Sequence, residues 1–131
     1  MDGWMDVSPD SKRRHGFPIA KAGKSREYVF TVPAYQGICK QHNSCIKGQL
    51  ELMRLDADKG TWISLKRGLP SAVHTCVLRD AMGTPGGSSE ELYFGTTTGE
   101  LYGTLNEGED WQLTASGLGR IQGVSAFHTE E

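Results

Sequence analysis

The stretch from Leu92 to Trp111, LYFGTTTGELYGTLNEGEDW, constrains more of this chain's fold than any other. Leu92 to Thr96 and Glu100 to Thr104 are short runs rich in aromatic and β-branched residues, with glycines at 95 and 99 bracketing a tight reversal. The pattern predicts two antiparallel strands. A second reversal is expected at Asn106-Glu107-Gly108, where Asn can bond its own backbone and Gly can take a positive φ, and the chain re-enters a strand at Trp111. Three strands in about twenty residues form a meander, the unit of all-β folds made of many short strands.

An echo of this stretch lies upstream. Gly48-Gln-Leu-Glu-Leu52 aligns with Gly99-Glu-Leu-Tyr-Gly103, and Trp62-Ile-Ser-Leu-Lys-Arg-Gly-Leu-Pro70 aligns with Trp111-Gln-Leu-Thr-Ala-Ser-Gly-Leu-Gly119. Each Trp is followed six residues later by a Gly-Leu pair. A repeat of roughly fifty residues carrying several short strands points to propeller blades rather than helical repeats.

Thr104-Leu-Asn-Glu-Gly-Glu-Asp-Trp111 resembles the Asp-box, or BNR repeat, of sialidase-like β-propellers: Ser/Thr, any, Asp, any, Gly, any, Ser/Thr, Trp. Thr104, Gly108 and Trp111 fit, Asn106 stands where Asp is usual, and Asp110 stands where Ser or Thr is usual. The upstream copy, Leu55-Asp-Ala-Asp-Lys-Gly-Thr-Trp62, keeps Thr61 and Trp62 but displaces the glycine and the acidic residues, Asp58 among them. The resemblance implies a structural hairpin between the third and fourth strands of a blade. Its acidic side chain accepts backbone N–H groups, its Trp packs beneath, and it has no catalytic role. The string from Tyr93 to Trp111, with His15-Gly-Phe-Pro-Ile-Ala20 and Lys66-Arg-Gly-Leu-Pro70, also resembles the C-terminal part of sialidase-like or glycosyl-hydrolase-like bacterial proteins.

At 131 residues the chain is at most one ordinary domain. A formal charge of −2 gives no reason to expect nucleic acid or an anionic membrane as partner. Nothing approaches the roughly 20 apolar residues of a membrane span. The N-terminus lacks a basic region followed by an apolar run, so no signal peptide is expected and the default compartment is cytoplasmic.

Taken in order, Trp4 is read as opening the last strand of a blade whose earlier strands are absent, and Lys12, Arg13 and Arg14 as a solvated surface. Blade one spans about 16–65, with strands at Phe17–Ala20, Glu27–Pro33, Gly48–Leu55 and Thr61–Leu65. Gly23-Lys-Ser25 is not a phosphate loop, because Pro18 stands where that pattern needs its first glycine. Blade two spans about 72–114 and opens with a strand at Ala72–Arg79, on which His74 is a packed side chain. A loop follows from Asp80 to Glu91, and an extra strand is expected over 120–127.

The loop 34–47 holds Cys39, His42 and Cys45 at three-residue steps. Three readings stay open: reduced thiols, a Cys39–Cys45 disulfide, or a metal site needing a fourth ligand from Cys76, His15, His74 or His128. The odd cysteine count and the missing signal peptide favour reduced thiols, so no metal or other cofactor is expected.

Two four-stranded antiparallel blades and a terminal strand make a partial propeller. Blades bury their faces only against neighbours, and natural rings hold about four to eight. The chain is therefore expected to be a piece of a larger propeller, or to close a ring with further copies of itself. The leading functional expectation is a non-catalytic scaffold or binding surface for carbohydrate or protein. The alternative is a sialidase-like glycoside hydrolase, active only in a complete propeller. Arg79, Arg120, Asp80, Tyr93 and Glu91 are of the right residue types, but none lies in a motif assigning it a role.

Overall fold

The computed structural model describes residues 3–4, 6–7, 16–33, 38–39, 44–45, 50–70, 75–86 and 88–129. Among them there is no helix. Ten strands are formed: β1 (Gly16–Ala22), β2 (Tyr28–Pro33), β3 (Ile38–Cys39), β4 (Ser44–Cys45), β5 (Leu52–Asp56), β6 (Thr61–Leu65), β7 (Met82–Gly83), β8 (Leu92–Gly95), β9 (Leu101–Thr104) and β10 (Gln112–Ala115). They make two four-stranded sheets, β1-β2-β5-β6 and β7-β8-β9-β10, and a two-stranded hairpin β3-β4 inserted in the first. Every pairing is antiparallel. Neither four-stranded sheet closes on itself.

Alternation decides which side chains meet. Pairing of Phe30 with Arg54 and of Leu52 with Leu65 places these residues on one face of the first sheet, and Val32 joins them by the two-residue period. In the second sheet Met82, Phe94 and Tyr102 share a face by the same rule. These two faces stack on one core that includes Phe30, Val32, Leu52, Leu65, Leu92 and Phe94. Phe94 is fully buried, stacked on Tyr102 at 5.4 Å and edge-on to Trp111 at 5.0 Å. Burying such a ring contributes roughly 1.5–3 kcal/mol. Gly108 brings the β9–β10 turn against the first sheet: a Cβ there would lie 2.8 Å from Leu65 Cδ1 and 3.2 Å from Phe30 Cε1. The edge strands β1 and β7 are also neighbours.

The hairpin β3-β4 falls inside the span 34–47 expected to be loop, and four further differences from expectation matter for the architecture. Among the described residues the first strand of the second sheet is β7, inside the span expected to be loop, whereas a strand was expected over Ala72–Arg79. Residues 71–74 lie outside the described residues, and 75–78 are not a strand although Thr75, Cys76 and Val77 are buried. Their backbone bonds go to a turn: Thr97 N–H donates to the Cys76 carbonyl at 2.9 Å, and Cys76 N–H to Thr97 Oγ1 at 3.2 Å. Burial by a hairpin turn leaves the same alternating apolar signature as burial by a strand.

The segment 120–127 is also not a strand. Its N–H groups reach the body at Ile121, to the Thr96 carbonyl at 3.2 Å, and at Val124, to the Asp80 carbonyl at 2.9 Å. Leu118 N–H does the same to the Gly99 carbonyl at 3.2 Å. Donors every third residue do not match a ladder, whose donors alternate by two. The third strand of the first sheet starts at Leu52 rather than Gly48, with Leu50 and Glu51 buried ahead of it and 46–49 outside the described residues. Trp4 is fully exposed and lies in no strand; Trp62 Nε1 instead donates to the carbonyl of Val7.

His15, His42 and His74 lie outside the described residues. The backbone register of the inserted hairpin sets Cys39 opposite Ser44 and Cys45 opposite Ile38. Among the described residues no group of three or more His, Cys, Asp or Glu could hold a metal ion. No helix among them is long and apolar enough to cross a membrane.

Candidate functional site

The hairpin from Thr104 to Trp111 is built by its own side chains. Thr104 ends β9 and is buried; its hydroxyl donates to Asn106 Oδ1 at 2.8 Å and accepts the N–H groups of Gly108 at 3.0 Å and Asn106 at 3.3 Å. Asn106 Oδ1 also accepts the Asp110 N–H at 3.0 Å, while Asn106 Nδ2 donates to Asp110 Oδ2 at 2.9 Å. Asn106 thus accepts through one atom and donates through the other, which a carboxylate cannot do. Gly108 takes a φ of +88°, open to glycine at little cost, and Glu107 beside it takes +61°.

The apex of this turn joins three other parts of the molecule. Glu107 Oε2 accepts the Lys24 N–H of the β1–β2 turn at 3.2 Å, the Glu107 N–H donates to the Glu90 carbonyl at 2.9 Å, and the Glu107 carbonyl accepts Arg54 Nη1 at 2.8 Å. Arg54 lies 4.3 Å above the Tyr28 ring and pairs with Glu109 at 3.6 Å. Trp111 is buried, and its Nε1 has no hydrogen-bond partner among the described residues. Its backbone N–H donates to the Arg67 carbonyl at 2.9 Å, tying the connection after β6 to the start of β10.

The upstream hairpin is organised differently. Asp56, not Asp58, caps the turn: its Oδ1 accepts the N–H groups of Asp58 at 3.0 Å and Lys59 at 3.2 Å, and its carbonyl accepts the Gly60 N–H at 2.8 Å. The residue that ends β5 stands where an Asx turn needs its acceptor, whereas Asp58 is already inside the reversal. Burial pushes the Asp56 carboxyl up, but the Arg26 guanidinium at 2.5 Å and the Lys59 and Asp58 N–H groups outweigh it and hold it below its usual value. Thr61 pairs across the ladder with Asp56, and Trp62 pairs with Leu55, half-buried rather than sunk in the core like Trp111.

Three clefts open among the described residues. The first, about 430 Å³, lies between the Thr104–Trp111 hairpin and the post-β6 connection, lined by Arg67, Leu105, Asn106, Asp110, Trp111 and Gln112. The second, about 240 Å³, is lined by Arg26, Tyr28, Arg54, Asp56, Lys59 and Thr61. The third, about 290 Å³, follows the β1–β2 turn from Lys21 to Glu27 and reaches Ser88. The acidic groups of the first two are engaged: Asp110 with Asn106 and Arg67, Asp56 with Arg26.

Of the residues raised for glycoside hydrolysis, two come together. Tyr93 Oη donates to Glu91 Oε1 at 2.8 Å, and His128 Nε2 lies 3.2 Å from Glu91 Oε2. That bond, with burial and the carboxylate charge, pushes the Tyr93 phenol above its usual value. Arg79, Asp80 and Arg120 are exposed, and among the described residues no hydrogen bond or ion pair joins their side chains to this pair. Neither Tyr93 nor Glu91 lines any of the three clefts. His128 was reachable from sequence only as a stray metal ligand; nothing local marked it as a partner of Glu91. A second group, Thr75, Thr96, Thr97, Thr98 and Glu100, carries no local signal in the sequence beyond turn chemistry. Glu100 Oε1 accepts the hydroxyls of Thr96 at 2.9 Å and Thr98 at 2.6 Å.

No protein-family model matches this chain, and no curated protein sequence matches it.

Proposed function

We propose that the chain is a non-catalytic β-propeller module, two neighbouring blades of a ring completed by further copies or by the rest of a larger propeller, that presents a binding surface for carbohydrate or protein. The observation that carries this reading is the stacking of two four-stranded antiparallel meanders on one core, with first strands β1 and β7 side by side. The Thr104–Trp111 network also supports it, because the polar groups most suggestive of chemistry are spent holding a turn. The 430 Å³ cleft beside that hairpin is the binding surface in this reading. Its amides, one guanidinium and one exposed leucine suit a polyhydroxylated or peptide ligand.

The observation favouring the glycosidase alternative is the Tyr93–Glu91 bond. Against it, the raised phenol keeps its proton, and the pair opens on none of the clefts described. The test is a glycan and peptide binding screen alongside aryl glycoside and aryl sialoside turnover. Saturable binding reduced at least tenfold by Arg67→Ala, with no turnover, is expected. Turnover abolished by Tyr93→Phe would overturn the reading.

A further inference from the structure

The segment after β10 crosses the outer face of the second sheet as a strap, and that face is cut to receive it. A Cβ at Gly95 would lie 2.3 Å from Ile121 Cγ2, one at Gly83 would lie 2.7 Å from the Val124 carbonyl oxygen, and one at Gly99 would lie 2.9 Å from Gly119 N. Three glycines thus form notches, each filled by a different atom of the strap. Between them the N–H groups of Leu118, Ile121 and Val124 donate to carbonyls of the body, and His128 ends the run against Glu91. This is backbone-led recognition of an extended segment, with one side-chain pocket for Ile121.

The attachment is slight for a segment of this length. Among the described residues it rests on three backbone bonds, one exposed ion pair and the half-buried side chains of Ile121, Val124 and Ala126, of which Ile121 packs against the core, while Leu118 and Phe127 remain 56% and 75% exposed. Contacts so few and so solvated open at low cost. The joint between β10 and the strap holds Gly117 at φ +70° and Gly119 at φ +72°, and no atom of the described residues lies within 4 Å of a Cβ built at either. Gly117 serves the fold-back alone, whereas Gly119 also sets its backbone in the Gly99 notch.

We propose that the strap is exchangeable between copies: Leu118–His128 of one chain docks in the glycine-notched seat of a second, so that the outer face of the second sheet is a self-recognition surface. The occupant is identified by the chain itself, because a second copy carries the same segment, complementary to the same notches. Opening the joint converts each internal contact to an identical intermolecular one at little net cost. Exchange requires only the strap and its seat, whether or not the sheets are propeller blades.

Its test is covalent trapping in the full chain carrying Gly95→Cys and Ile121→Cys. A Cβ at position 95 would lie 2.9 Å from Ile121 Cβ, so a retreat of under about 1 Å by the strap reaches disulfide spacing. After incubation at graded concentrations and oxidation, a covalent dimer is expected. Its share should rise about tenfold per tenfold of protein while dimer is the minor species, and neither single variant should give it. Cross-linked monomer alone at every concentration would overturn exchange, and failure to cross-link at all would overturn the seat. A second variant needs no trapping. Gly117→Ala, at the joint and outside the seated segment, disfavours the fold-back about fivefold and should shift the light-scattering mass toward dimer. An unchanged mass would equally overturn the proposal.

Discussion

Replacing Asn106 with aspartate, the residue usual in the Asp-box, should weaken this protein unless Asp110 is changed with it. Asn106 Nδ2 donates to Asp110 Oδ2 at 2.9 Å, while Asn106 Oδ1 accepts Thr104 Oγ1 and the Asp110 N–H. In Asn106→Asp the new carboxylate would keep both acceptor contacts and strengthen them by its charge, by about 0.5–1 kcal/mol. It would also lose one hydrogen bond, about 1 kcal/mol, and set two carboxylates against each other. Unit charges at about 4 Å repel by about 1 kcal/mol in water and about 4 kcal/mol at an effective dielectric of 20. Both residues are exposed, which selects the lower figure. The sum is about 1–1.5 kcal/mol of destabilisation.

Asp110→Ser removes the repulsion and forfeits the Arg67 ion pair, which at 79% and 50% side-chain exposure contributes close to nothing. The double variant should therefore be about as stable as the wild type, with a coupling of about 1.5 kcal/mol. Urea unfolding of the four proteins at low salt measures this, and the penalty on the single variant should shrink at high salt. Additivity within about 0.5 kcal/mol would refute the reasoning, as would an Asn106→Asp variant no weaker than wild type.

Two further outcomes follow from the two hairpins. Thr104→Val keeps the shape of a buried side chain but strips the acceptor from the Gly108 and Asn106 N–H groups. It should cost about 2–3 kcal/mol by urea unfolding, and a loss under about 0.5 kcal/mol would show that these donors find other partners. Asp56 has a folded value held below its unfolded one, so its contribution is present above the unfolded value near 4 and is lost as pH falls through the folded one. The stability gap between wild type and Asp56→Asn should be flat above about pH 5 and close below about pH 4; a gap independent of pH would remove Asp56 from the account.

The sequence carried the two sheets because their strands announce themselves locally. Leu92–Gly95 and Leu101–Thr104 alternate, are bounded by glycine, and pair with near neighbours in the chain. The Thr104–Trp111 hairpin was legible for the same reason, since the bonds among its own residues span no more than four positions. What was lost depends on distance. The apolar alternation at Thr75–Val77 looked like a strand because burial shows in the side chains while the backbone partner, Thr97, does not. The strap over 120–127 looked like a strand because Ile121 and Val124 are β-branched; its seat on Gly83 and Gly95 is written in glycines far earlier in the chain. That Asp56 rather than Asp58 caps the upstream turn is not legible from the aligned tryptophans, which do not fix where the turn begins.

The bond from the Trp111 N–H to the Arg67 carbonyl bears on how the protein is born. A ribosome that has released the first half of the chain has delivered β1, β2, β5 and β6, yet Arg67 still waits for a donor and Arg54 for the Glu107 carbonyl. Both arrive only with the β9–β10 hairpin, so the earlier sheet cannot complete these bonds before residue 111 has been made.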